Sequence, residues 1–194
     1  MYQPEELKIN KDLEGMSLRS LQEHFKLYQG YVKKTNEIQE KLKTADPAEA
    51  NGVYSAIGEL KRQETFAVNG MKLHEVYFGH LTDGGREIQG RIKELLERDF
   101  GSLESWQREM MAAAMAARGW SITAYDLQDN KLRVYAADAQ NVGAVWAAIP
   151  LICLDVYEHA YFMDHGANRK TYLEAFFKNI NWTFVNELLL RYKI

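Results

Sequence analysis

The sequence is short of the residues that mark secreted, membrane-spanning or nucleic-acid-binding chains. Its single cysteine, Cys153, excludes an internal disulfide and fits a reducing compartment. Basic residues never gather in runs longer than two or three, and the formal net charge is -3. Both facts argue against a nucleic-acid partner. The longest apolar run, VGAVWAAIPLICL, is too short to span a bilayer and contains Pro150, so no membrane partner is expected. The opening MYQPEELKIN lacks the apolar core of a signal peptide, which makes a cytoplasmic protein the expectation. No internal repeat or low-complexity segment occurs. What is present is apolar material: 46% of the 194 residues are hydrophobic, enough to bury a substantial core in one domain or two small, closely packed ones.

The first half reads as helical. Leu18, Leu21, His24, Phe25, Tyr28, Tyr31 and Val32 recur at the three-and-four spacing of an amphipathic helix, with Ser17 as its N-cap. TADPAEANG breaks that pattern. A second helix is predicted from about Tyr54 to His80, with Leu60, Thr65, Phe66, Leu73, His74, Tyr77 and Phe78 inward. Gly70 inside it is costly for a helix and points to crowding there. LTDGG reads as a turn and REIQGRIKELLERDFG as a third helix. The second half changes character. An Ala- and Met-rich helix precedes two β-rich runs around Gln128-Asp129-Asn130, a hairpin signal. AVWAAIPLICLDV supplies a third strand, and helix closes the chain. The predicted class is α+β: an N-terminal helical hairpin over residues 1–98, then an α/β domain over 99–194 with a small three-stranded antiparallel sheet and flanking helices.

The chemistry concentrates in LICLDVYEHAYFMDHG, where Asp155, Glu158 and His159 adjoin the most apolar stretch of the chain. Charged side chains are rarely buried unless paired or bound to metal. Of the five histidines, His80 and His165 stand beside turn residues and are expected to be exposed. His24, His74 and His159 each fall on an apolar helical face. Any one of them alone reads as a hydrogen-bonded core histidine. Three of them together with a strand-end carboxylate, Asp155, make a typical site for a redox-active first-row metal.

DVYEHAY resembles the DVWEHAY signature of the iron/manganese superoxide dismutases. GMSLRSLQEHFKLYQGYVKKTN and FAVNGMKLHEVYFGHLTDGG resemble that family's first two helices. DFGSLESW, RGW and NRKTYLEAFFKNINW match its linker, sheet entry and C-terminal helix, so the likeness runs from about Gly15 to Trp182. The resemblance implies His24, His74, Asp155 and His159 as ligands of one manganese or iron ion per chain, set between the two domains. It also implies dismutation of superoxide to oxygen and hydrogen peroxide as the ion alternates between trivalent and divalent states. It makes Tyr31, seven positions after His24 and roughly 10 Å along one helical face, the tyrosine at the substrate entrance. Gln140 becomes the glutamine that hydrogen-bonds at the metal in manganese-type members. Iron-type members often carry that glutamine four residues before the second ligand histidine; here that place is Gly70, which would leave room for Gln140. Glu158 and Tyr161 match interface residues, the glutamate reaching the ligand histidine of a second subunit, which implies a homodimer or a tetramer. Trp120 and Tyr157 belong to the lining of the site.

The sequence also departs from the family. Tyr157 stands for the tryptophan of DVWEHAY, and Ile122 for the second tryptophan of the GWxW strand. Leu27 replaces a histidine, one residue is missing between Phe25 and Tyr28, and Cys153 lies two before Asp155. These changes bear on rate and metal choice. Two other functions share the ligand set in part. A non-haem iron oxygenase needs only two histidines and a carboxylate, and the third histidine would fill a position that oxygen and substrate need. A non-catalytic metal-binding relative would tolerate the altered lining, but retention of Tyr31, Gln140 and Glu158 weighs against it.

Overall fold

A computed structural model describes residues 1–83 and 87–194. The chain begins with two long helices, α1 (Leu18–Leu42) and α2 (Ala56–Gly79), joined through a short 3-10 turn at Pro47–Glu49. Both starts are capped as their sequences require. The Ser17 hydroxyl accepts from the Ser20 N–H at 3.1 Å, and Ser55 accepts from Gly58 at 3.1 Å. The buried face of α1 carries Leu21, His24, Phe25, Tyr28, Val32 and Ile38. It packs on Met71 of α2 in a small apolar cluster. Thr65, expected inward, is exposed and turns its hydroxyl back to the Arg62 carbonyl at 3.0 Å. Leu60 and Phe66 are only half-buried. The apolar stripe of α2 narrows at this end because α1 is its main cover.

The third helix, α3 (Arg91–Phe100), begins later than its apolar pattern indicates. Asn186 from the last helix accepts from the Ile92 N–H and donates to the Gln89 carbonyl, holding the entry extended. Gly90, at φ 77°, makes the corner. The expected LTDGG turn lies partly outside the described residues, as does the expected start of this helix at Arg86. After α3 come α4 (Leu103–Ala116), β1 (Trp120–Asp126), β2 (Lys131–Ala137) and β3 (Ala148–Asp155). They are followed by a 3-10 turn (Glu158–Ala160), α5 (Phe162–His165), α6 (Arg169–Lys178) and α7 (Trp182–Tyr192).

The three strands form an antiparallel sheet in the order β2-β1-β3, which leaves β3 at an edge. The register of β3 shifts where Thr123 faces Ile152 but Ala124 faces Pro150. Proline has no N–H for a ladder, so an edge strand at a bulge is a position that accepts it. From Leu151 to Val156 every residue of this strand and its exit is buried. The main core joins Leu95, Met110, Ile152, Phe176 and Leu189 from helices and sheet.

His80 corrects a sequence expectation. It is fully buried, not exposed, and its Nε2 accepts the Cys153 N–H at 2.9 Å. That N–H lies on the free side of β3, and an edge donor enclosed by protein needs an acceptor. His165 is half-buried, with its ring nitrogens at the Gly15 carbonyl and the Thr171 hydroxyl. Among the described residues no helix is long and apolar enough to cross a membrane.

Candidate metal centre

Four elements deliver four side chains to one point. α1 brings His24, α2 brings His74, the end of β3 brings Asp155, and the following 3-10 turn brings His159. One ligand-type atom from each lies within 4.8 Å of all the others. Asp155 Oδ2 is the hub, at 3.1 Å from His24 Nε2, 3.2 Å from His159 Nε2 and 3.5 Å from His74 Nε2. Its other oxygen, Oδ1, accepts the Tyr157 N–H at 2.9 Å, and its main-chain carbonyl accepts the Tyr172 hydroxyl at 2.8 Å. The carboxylate is therefore fixed in rotation, with one oxygen committed to backbone and one offered to the centre.

The tautomer of His74 is fixed as well. Its Nδ1–H donates to the Gly70 carbonyl at 2.6 Å, within its own helix. Nε2 then presents a lone pair to the centre, and it is a buried atom with no hydrogen-bond partner. An orphaned, buried imidazole nitrogen facing a carboxylate and two more imidazoles is what a metal ion satisfies. Burial holds the His24 and His74 rings neutral, the latter pulled down to about 3. Burial alone would raise the Asp155 carboxyl, but hydrogen bonds from His159 and His24 hold it below the usual carboxylate range. Neutral imidazoles beside an ionised carboxylate are the protonation states metal binding requires.

Around these four stand the other expected residues. The Tyr31 ring lies 5.2 Å from the His74 ring, and burial pushes its phenol up to about 12, so it keeps its proton. Gln140 is buried and its Nε2 donates to the Tyr31 hydroxyl at 2.7 Å. Trp120 packs edge-on against His74 at 5.1 Å between ring centres. Tyr157 stacks on His159 at 5.2 Å. Gly70 is crowded as its sequence position indicated, but the neighbour is different. A Cβ there would fall 2.7 Å from the Tyr31 ring, so Tyr31 fills the space expected for Gln140. Glu158 is exposed. Tyr161 is buried within its own chain, stacked on Tyr172 and accepting from Arg169. The exposed aromatic beside it is Phe162.

One residue, Asn69, and one contact, that of Tyr157 with Gln140, were not singled out from sequence. Asn69 holds the Gln140 carbonyl at 2.9 Å and so ties the loop after β2 to α2. The Tyr157 hydroxyl meets Gln140 Oε1 at 3.0 Å. Neither residue type is a signal by itself; only the meeting of distant segments reveals them.

An α-helical pair closing over a sheet-borne carboxylate, with three imidazoles and one Asp oxygen converging, defines a mononuclear non-haem metalloprotein. A family model described as "Iron/manganese superoxide dismutases, C-terminal domain" matches residues 88–188. A curated relative named "Superoxide dismutase [Fe]" from Aquifex pyrophilus is 48% identical over 182 residues, covering 91% of this chain and 85% of its own. A second of that name, from Aquifex aeolicus, is 46% identical over 190 residues, covering 95% and 89%. "Superoxide dismutase [Mn] 2" from Haloferax volcanii is 38% identical over 156 residues, covering 80% and 77%. The chain belongs to the iron/manganese superoxide dismutases.

Proposed function

We propose that this protein dismutes superoxide to oxygen and hydrogen peroxide, with one iron or manganese ion held by His24, His74, Asp155 and His159. The observation that carries the reading is the buried, unpartnered His74 Nε2 aimed into the group of three other donors. When bound, the ion would supply one-electron chemistry between its trivalent and divalent states. The protein supplies the rest. Asp155 provides the anionic donor and, through its Oδ1 and main-chain bonds, a fixed angle for it. Tyr31 keeps a phenolic proton at its Oη beside the centre, where the reduced product needs protons. Gln140 Nε2 is a neutral donor, and N–H groups facing the centre stabilise negative charge beside the ion, favouring the trivalent state.

Tyr31 also lines a cleft of about 490 Å³ between α1 and α2, shared with Lys34, Lys41, Glu37 and Glu59, which supports its place at the substrate entrance. Glu158, Phe162 and Met163 are exposed beside the ligand-bearing turn, and Glu158 has no ion pair among the described residues. These features support a homodimer, or a tetramer of paired dimers, with Glu158 reaching the partner's ligand-bearing turn. Residues 1–98 and 99–194 act as the two halves that close on the ion, and the one buried cysteine fits the cytoplasm.

The deciding experiment loads the protein separately with iron and with manganese, then measures metal per chain and superoxide dismutation. About one ion per chain with activity in at least one form supports the reading. A stoichiometric ion with no dismutation in either form would assign the protein to non-catalytic relatives. In the active form, Gln140→Ala should raise the metal's reduction potential while leaving metal content intact.

A further inference from the structure

Gln140 lies in the loop after β2, yet its side chain is buried between two phenols. Its Oε1 is 3.0 Å from the Tyr157 hydroxyl and its Nε2 2.7 Å from the Tyr31 hydroxyl. A primary amide has a direction: one end only accepts and the other only donates. A phenol does both. Between Gln140 and Tyr31 alone, the amide satisfies the phenol equally well either way round. Tyr157 is a phenol too, but flipping the amide would leave its proton to the Asp138 carbonyl at 3.5 Å, so its donation to Oε1 at 3.0 Å favours one way round. With Tyr157 donating there, the NH2 faces Tyr31, and Tyr31 accepts. Its own hydroxyl hydrogen is then left free to donate.

We propose that Tyr157 is a positioning residue whose hydroxyl sets the direction of the chain Tyr157→Gln140→Tyr31, leaving the Tyr31 O–H and the second Gln140 N–H as donors for the metal centre. The inference rests on the reading of Gln140 and Tyr31 given above. The ring of Tyr157 is well held for this task. Its N–H donates to Asp155 Oδ1 at 2.9 Å, and its face lies 5.2 Å from the His159 ring at an interplanar angle of 14°. The main chain at Gln140 is held in turn by Asn69 at 2.9 Å, so the side-chain amide rotation is what remains to be fixed. Among the described residues the competing acceptor for the Tyr157 hydroxyl is the Asp138 carbonyl at 3.5 Å, a poorer distance than that to Gln140. Tryptophan, the family's residue at this position, would keep a stacking ring but has no hydroxyl.

The test is Tyr157→Phe in the metal-loaded protein, which keeps the ring, its stacking and its backbone bond. Metal content should stay at the native level. The midpoint potential of the ion should rise by an amount equal to about a tenfold change in the ratio of oxidised to reduced metal, about 59 mV for one electron. In a Gln140→Ala background the same change should move the potential no further, because its route is gone. A residue that only packs on His159 would leave the potential unchanged in Tyr157→Phe and lose metal in Tyr157→Leu. If Gln140→Ala shifts the potential and Tyr157→Phe does not, this inference falls while the reading of Gln140 stands. If Gln140→Ala itself leaves the potential unchanged, both fall. An equal shift from Tyr157→Phe with and without Gln140 would mean that Tyr157 acts directly on His159, and would also overturn the inference.

Discussion

His74 gives a decisive perturbation because its replacement should cost much more in the metal-loaded protein than in the metal-free one. The ring is fully buried, with Nδ1 bonded to the Gly70 carbonyl and Nε2 unpartnered. In the metal-free protein His74→Ala leaves a cavity, which for comparable aromatic truncations costs about 3–5 kcal/mol. It also removes a buried nitrogen without a partner, a penalty of about 1–3 kcal/mol. The two effects oppose one another, so the metal-free variant should lie within about 4 kcal/mol of the metal-free native protein. The loaded protein differs. An ion that binds only the folded state contributes about 4.1 kcal/mol at a thousand times its Kd. For a chain of this length each kcal/mol moves Tm by about 2–4 °C. Metal should therefore raise the native Tm by about 8–16 °C and the variant's by nothing measurable. Calorimetry with and without metal, alongside elemental analysis, reads both. Full metal occupancy in His74→Ala, or an equal rise in its Tm, would remove His74 from the centre.

Gly70→Ala should displace the Tyr31 ring and lower activity. The gain in helix propensity of about 1 kcal/mol is opposed by about 1–3 kcal/mol of overpacking, and a variant structure with Tyr31 unmoved and full activity would refute this. His80 should make the loaded protein acid-sensitive. Burial holds its pKa down to about 3 against 6.5 in the unfolded chain. Between those values only the unfolded chain takes the proton, so stability is complete above pH 6.5 and falls as pH drops, by about 2 kcal/mol at pH 5. Urea unfolding of His80→Asn across that range should show a flatter pH dependence than native; an identical slope would show that His80 is not the source.

The four side chains that converge, His24, His74, Asp155 and His159, were legible in the sequence because each is chemically out of place: an acid or imidazole on an apolar face has to be held by something. Crowding at Gly70 was legible for the same reason, since glycine inside a helix needs an explanation. What filled the gap was not, because Tyr31 lies on a different helix. His80 was misread from the turn residues that follow it. The force that draws it inside is an unsatisfied N–H on β3, 73 positions away along the chain, and no local pattern reports that. The start of α3 failed likewise, because Asn186 of α7 holds Gln89 and Ile92 in place. Helix existence followed from periodicity, whereas helix ends followed from tertiary hydrogen bonds.

The outer side of β3 has a consequence for how the molecule behaves in a crowd. A bare strand edge is a template on which another chain can add a strand and begin an aggregate. Here Pro150 has no N–H to offer, and the Cys153 N–H is already spent on His80. Leu151 bulges where the register shifts, which spoils the even spacing that an incoming strand would need. The most apolar strand of the protein, the one that carries Asp155, is thereby closed to self-recruitment. Losing His80 would leave the enclosed Cys153 N–H without its acceptor two residues from Asp155, so the same bond that closes the edge also steadies the strand.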